Sequence, residues 1–410
     1  MSTITSPTPP STQLPRQSLG ELWESFRANV RGGDLGAIPV VVGLAIIWTV
    51  FQILNPNFLS AANLVNLALQ CAAIGTIALG VVLVLLLAQI DLSIGSIAGL
   101  AAAILAVTFT QFAWPLPLSI VAALAAGAVL GWFYSFLYTR FGVPSFVITL
   151  AGLLGVLGLQ LWVLGRLGSI NIPFDSWVVQ FAQQMFLPNW AAYALSVLAA
   201  GGYMLSRYLS TRRREKAGLL APSKLGILIR GGLLLAVLLL GSWYLGTNRG
   251  VGLMFLLFIV LVVVLNYALT RTSWGRSIYA VGGNVEAARR AGIRVNHIYI
   301  SVFIISTTLA ALGGLLAASR LAAANQSTGG GDVNLTAIAA AVIGGTSLFG
   351  GRGSAWSALL GIVVIQSIAS GLTLLSLDSS VRYMVTGAVL LLAVIIDSLS
   401  RRSRALHGRA

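Results

Sequence analysis

Charge is scarce in this 410-residue chain: Asp, Glu, Lys and Arg together make up 9% of it, against roughly 25% in an ordinary soluble domain. No charged residue occurs from Leu35 to Ile90, from Leu92 to Thr139, or from Phe141 to Gly165. A soluble core does not need runs of that length. With 57% hydrophobic residues and a mean hydropathy of +0.92, lipid is the solvent expected for most of the chain. The runs are continuously apolar, with no two-residue alternation, which excludes a transmembrane barrel and predicts helices. One cysteine, Cys71, lies inside an apolar run, so no disulfide framework exists. Histidine occurs twice, at His297 and His407, and no nucleophile stands beside a base. Neither a metal centre nor a catalytic site nor a cofactor is expected. The only lysines are Lys216 and Lys224, so the glycine-rich stretches TGGGD (Thr328 to Asp332) and GGTSLFGGRGS (Gly344 to Ser354) are not followed by the Lys-Ser or Lys-Thr of a phosphate-binding P-loop. Hydrolysis of ATP by that mechanism is excluded; the glycines read as tight turns and close helix contacts.

What is present is a series of apolar windows. They fall near 37–54, 65–89, 93–113, 117–139, 144–165, 191–207, 227–246, 251–269, 298–318, 335–349, 355–376 and 383–397, and predict an all-α polytopic membrane protein of about twelve transmembrane helices. The 335–349 window is short enough for a half-span or re-entrant helix. Residues 1–34 open on the Ser-, Thr- and Pro-rich MSTITSPTPPSTQLPRQSLG and are expected to form a disordered cytoplasmic tail rather than a cleaved signal. Residues 35–400 form the membrane domain and 401–410 a second cytoplasmic tail. With the N-terminus inside, 20 of the 25 basic residues fall on the cytoplasmic face. Only Arg166, Arg249, Arg320 and Arg382 fall on the opposite face, and Arg230 can reach back to the cytoplasmic surface from the start of its span. That asymmetry accounts for the net charge of +15 through topology and anionic membrane lipid, and leaves no reason to invoke nucleic acid.

GGNVEAARRAGIRV, Gly282 to Val295, breaks the rule of scarce charge by placing Glu286, Arg289, Arg290 and Arg294 within nine residues of a predicted cytoplasmic loop. Glu286 with arginines three and four residues on favours a short helix, and Gly292 ends it. From the pattern alone, two readings stand: an interfacial helix holding anionic headgroups, or a helix that lies in a groove on a partner. Glu286-Ala287-Ala288, three residues, then Gly292 resembles the E-A-A-x-x-x-G loop through which ABC importer permeases dock their ATPases. AQIDLSIGS (Ala88 to Ser96), VPSFVITLAG (Val143 to Gly152), GRSIYAVGGNVEAARRAGI (Gly275 to Ile293) and TAIAAAVIGGTSLFGGRGS (Thr336 to Ser354) resemble the ribose/xylose-type ABC sugar permeases, and most closely the xylose type. The likeness runs from about residue 37 to 400; Arg290 departs from the hydrophobic residue often found at its position. This resemblance implies a ten-helix permease core with an inserted helix pair at about 189–246 and a coupling segment at 282–295. It further implies that Glu286, Ala287, Ala288, Arg289 and Gly292 meet a separate ABC ATPase. A periplasmic sugar-binding protein, a homodimer and a place in the bacterial inner membrane with both termini cytoplasmic belong to the same implication.

Asp91 is the only acid between Asp34 and Asp175, and a carboxylate near a span is costly enough to need a reason. It reads either as an N-cap for a helix beginning at Leu92 or as part of a broken helix beside a substrate path. On the second reading Ser93, Ser96, Asn334 and Thr336 would face the path with it. DLSIGSIAGLA from Asp91 and DVNLTAIAAAV from Asp332 share Asp, Ile and Ala at matching offsets, as two related helix starts would. The expected function is the membrane subunit of an ATP-driven monosaccharide importer, with xylose as the implied sugar and no catalysis of its own. The alternative is an ion-coupled secondary sugar transporter, which needs several ionisable residues at membrane depth; Asp91 alone approaches it.

Overall fold

The computed structural model describes residues 38–218 and 223–381, with 383–389, 391, 392 and 395 beyond them. The tails expected at 1–34 and 401–410 lie outside the described residues, and the 383–397 window is described only in part. The described chain is almost entirely helical: α1 (Ile38–Leu54), α2 (Ala61–Leu86), α3 (Ile94–Ala106, prolonged by a π-turn Val107–Gln111), α4 (Leu116–Phe141), α5 (Ser145–Leu164), α6 (Trp177–Gln183), α7 (Asn189–Lys216), α8 (Lys224–Gly246), α9 (Leu253–Arg271), α10 (Ser273–Gly283), α11 (Val285–Arg290), α12 (Val295–Leu321), α13 (Gly331–Ile343) and α14 (Ala355–Leu374). The one sheet is a two-stranded ribbon of β1 (Ser169–Asn171) and β2 (Ala323–Asn325), with Ile170 opposite Ala324.

Among the described residues, 8 helices are long and apolar enough to cross a membrane: α2, α3 with its π-turn, α4, α5, α8, α9, α12 and α14. The twelve expected windows exceed that number at four places. α1 and α13 have 17 and 13 residues, so α13 spans about 20 Å where the hydrocarbon needs about 30 Å. α7 is long, but its last turns carry Arg207, Arg212, Arg213, Arg214 and Lys216. The fourth is the partly described 383–397 window.

The described residues divide into two compact units, one within 189–243 and the other comprising 38–188 with those from Tyr244 onward. The smaller is the α7–α8 hairpin, pinned by the Ser196 and Ser242 hydroxyls 3.0 Å apart and by Met204 lying over Gly231. In the larger, α2 is the central rod, and α12 packs along α2, α3 and α4. Small residues set how closely these helices approach. A methyl group at Gly314 would collide with the Ala98 carbonyl, and one at Gly131 with the Thr307 hydroxyl and the Phe303 carbonyl. In lipid, where no hydrophobic drive separates helix from solvent, such contact through glycine is a main source of helix association.

Candidate functional site

Two helices start inside the bundle. α2 ends at Leu86, the chain turns back through 87–93, and α3 opens at Ile94 with Ala98 against Gly314. Gly313 in turn meets Ala73, about 20 Å up α2 from Leu86 at 1.5 Å per residue. From the opposite side 322–330 runs in from the end of α12, and α13 opens at Gly331. The two N-termini meet: the Gly95 N–H donates to Asn334 Oδ1, and Gly329 lies against the Gly95 carbonyl and the Gly99 backbone. Asp91 is buried here at 3% exposure. Its Oδ1 accepts from the Ser93 N–H at 2.9 Å and the Ser93 hydroxyl at 2.7 Å, while Oδ2 has no hydrogen-bond partner among the described residues. The N-cap reading is thereby corrected: the helix opens at Ile94 with Ser93 as its N-cap, and Asp91 supports that start from two residues upstream, through the local turn that an aspartate makes with its own backbone. The free helix donor that a cap would take is met instead by Asn334, across the bundle. Asp332 behaves differently from Asp91, lying exposed within the first turn of α13, so the two helix starts do not share a cap geometry. Ser96 is also buried, donating to the Leu153 carbonyl at 3.0 Å.

Beside this junction lies a cavity of about 870 Å³ walled by α2, α12, α13 and α14, with a recess of about 220 Å³ that shares Gln70, Arg320, Asp332 and Gln366 with it. Of the residues expected to face a path, Thr336 lines the cavity, whereas Asp91, Ser93, Ser96 and Asn334 are not among its lining residues. The walls come from two stripes. Asn63, Asn66 and Gln70 stand at i, i+3 and i+7 on α2, and Gln366, Ser370 and Thr373 at i, i+4 and i+7 on α14, spacings that put each set on one helix face. The stripes are joined: Gln366 Nε2 donates to Gln70 Oε1 at 2.9 Å and the Ser370 hydroxyl to Asn63 Oδ1 at 2.9 Å. Arg249 holds Asn66 Oδ1 at 2.6 Å. These six positions carried the legible but unread signal, polar residues at helical spacing inside apolar spans.

At the far end of α2 the segment Gly282–Val295 folds as the charge pattern predicts. Asn284 caps α11, its Oδ1 accepting from the Ala287 N–H at 2.9 Å. Gly292 closes it at φ 83°, with Gly292 N donating to the Arg289 carbonyl and Ile293 N to the Ala288 carbonyl, the paired bonds of a Schellman motif. Within α11 only Ala288 is buried, at 4% exposure; Glu286, Ala287, Arg289, Arg290, Ala291 and Gly292 are exposed. Glu286 and Arg289 pair at 2.8 Å. The preceding α10 fastens the segment to the bundle. Gly282 packs on the Leu86 carbonyl, which accepts from Gly351 N at 2.9 Å. Tyr279 donates its hydroxyl to the Gly353 carbonyl at 2.8 Å; burial pushes its phenol above the ordinary tyrosine range, keeping it a neutral donor. α2 therefore carries the cavity on its first half and the exposed α11 platform at its end.

A family model described as the branched-chain amino acid transport system / permease component matches residues 63–394. The chain belongs to this permease family. Among curated proteins, the permease is 36% identical over 363 residues to the xylose transport system permease protein XylH of Escherichia coli (strain K12), covering 88% of this chain and 90% of that one. It is 34% identical over 376 residues to XylH of Haemophilus influenzae, with 91% and 99% covered. To the ribose import permease protein RbsC of Bacillus subtilis (strain 168) it is 32% identical over 356 residues, with 87% and 91% covered. No solved structure matches the permease. The resemblance carried by the four sequence motifs is thus met over nearly the whole chain. A permease component is a transport subunit and not an enzyme, and this one is a multi-pass membrane protein.

Proposed function

We propose that this permease is the membrane subunit of an ATP-driven monosaccharide importer, with xylose as its sugar. It forms the translocation path and works with a separate ATPase and an extracytoplasmic sugar-binding protein, as a homodimer with both termini cytoplasmic. The observation that carries the reading is the cavity between α2 and α14. Its walls present Asn63, Gln70, Gln366 and Ser370, groups that both donate and accept and suit a neutral solute made of hydroxyls. Among the described residues, Arg320 and Asp332 are the charged groups lining it, one of each sign, where a charged solute would call for an excess of the opposite charge.

The coupling follows from the same rod. α11 offers a small, exposed, capped platform whose exposed ion pair adds little stability but gives a partner charge and shape to read. Force applied there reaches Leu86 and Gly351 through Gly282, and so reaches α2 and the segment leading into α14, both of which wall the cavity. Rigid helices moved at one end are a common means of switching access.

Uptake of radiolabelled xylose into proteoliposomes holding the permease, its ATPase and its binding protein tests the reading. Gln70→Leu with Gln366→Leu removes both partners of one wall contact and leaves no orphaned amide. The expected outcome is uptake reduced about tenfold or more at unchanged folded yield, on the order of 1–3 kcal/mol of lost polar contact in the path. Wild-type uptake by the double variant, or uptake driven by an ion gradient without the ATPase, would overturn it.

A further inference from the structure

We propose that the α7–α8 hairpin holds one anionic phospholipid, its acyl chain in a groove between the two helices and its phosphate at their basic end. The groove encloses about 430 Å³. Its floor is apolar, formed by Gly201, Met204 and Leu205 of α7 and by Ile227 and Leu228 of α8. Tyr208 and Lys224 close one end and, among the described residues, bring its polar groups. A lone apolar groove could take many occupants, but the charge around this one selects among them.

α7 has 28 residues, about 42 Å of helix, and so outruns a hydrocarbon layer of about 30 Å by roughly two turns. Those two turns carry Arg212, Arg213, Arg214 and Lys216, with Arg207 just before them and Lys224 at the start of α8. The one acid in the stretch, Glu215, pairs with Lys224 at 3.4 Å. Among the described residues none of the four arginines has a carboxylate partner. Two of them are already oriented: Arg212 stacks 5.4 Å over the Tyr208 ring and Arg207 5.6 Å over Tyr203. Stacking occupies the flat face of a guanidinium and leaves its N–H edge for an oxyanion. Tyr208 belongs both to the groove and to this stack, so the place where an acyl chain would end is the place where a phosphate would find Arg212 and Lys224. A soluble phosphate has no use for the groove, and a zwitterionic lipid cancels its own phosphate charge beside this many cations.

Two substitutions separate the two halves of the site. Arg212→Gln with Lys224→Gln removes charge at the headgroup end. Gly201→Leu projects a side chain into the groove from a position where a Cβ meets nothing within 4 Å. The full-length permease, purified in detergent and offered phosphatidylglycerol, phosphatidylcholine or inorganic phosphate, is read by native mass spectrometry for retained lipid and by size-exclusion profile for folding. The expected result is one tightly retained phosphatidylglycerol on the wild type. Affinity should fall on the order of tenfold or more in the charge variant and retention should be lost in Gly201→Leu, all with unchanged profiles. Equal retention of phosphatidylcholine, full competition by inorganic phosphate, wild-type retention by both variants, or a groove closed by a second copy of the chain would each overturn the proposal.

Discussion

Gly292 and Asp91 show how much a single residue carries. At Gly292 the φ of 83° is a conformation that costs a residue with a Cβ about 1–2 kcal/mol, and open space around it means that backbone strain alone decides the effect. Gly292→Ala is expected to loosen α11 and leave the bundle alone. Amide exchange over 285–292 should quicken severalfold while the thermal midpoint of the whole protein stays within a degree or two. At Asp91 the weights are reversed. Two donors of Ser93 end on one buried oxygen, and leaving a buried donor unmet costs about 1–3 kcal/mol. Asp91→Asn keeps that acceptor and should fold in near-normal yield, whereas Asp91→Leu strands both donors and should lower the yield of folded protein measured by size exclusion. A normal yield of the Leu variant with lost transport would move Asp91 from helix support to the path.

At the scale of elements, the long spans were legible because a continuous apolar run has one stable outcome in lipid, a helix with every backbone group paired inside it. The interruptions were legible only in part. DLSIGS announces a polar break at Asp91, yet nothing local says that the helix waits until Ile94 or that Asn334, 239 positions further on, meets Gly95 N. The contact is tertiary and leaves no trace in spacing. The ribbon of β1 with β2 and the short α6 were hidden for the same reason. The wall stripes are the opposite case: Asn63, Asn66, Gln70 and Gln366, Ser370, Thr373 are written at helical period, and their meaning needed only the knowledge that α2 and α14 face each other. Their pairing also makes a prediction about stability. Gln70→Leu alone leaves the Gln366 amide, 9% exposed, without its partner and should lower the thermal midpoint more than Gln70→Leu with Gln366→Leu, in which nothing is orphaned. A double variant less stable than the single would mean that the amides act through packing and not through their hydrogen bond.

For the whole molecule the question raised by the proposed coupling is whether docking and force transmission are separable, because both are proposed to rest on the same few turns. α11 is largely exposed and held to the rest through Ala288 and Val285, while α10 is wedged at Gly282 between the Leu86 carbonyl and Gly351. Glu286→Arg reverses the charge of the exposed platform and should abolish pull-down of the ATPase with no change in thermal midpoint, since the Glu286–Arg289 pair is exposed and contributes little. Gly282→Ala should do the reverse. The added methyl has no room against backbone atoms on two sides, so the wedge must open, while the platform itself is untouched. ATPase binding should persist, and xylose uptake per ATP hydrolysed should fall severalfold in proteoliposomes. If both variants lose the ATPase together, α10 and α11 form one docking surface. If Gly282→Ala transports normally, the force reaches α2 by another route, and the contact at Leu86 is packing alone.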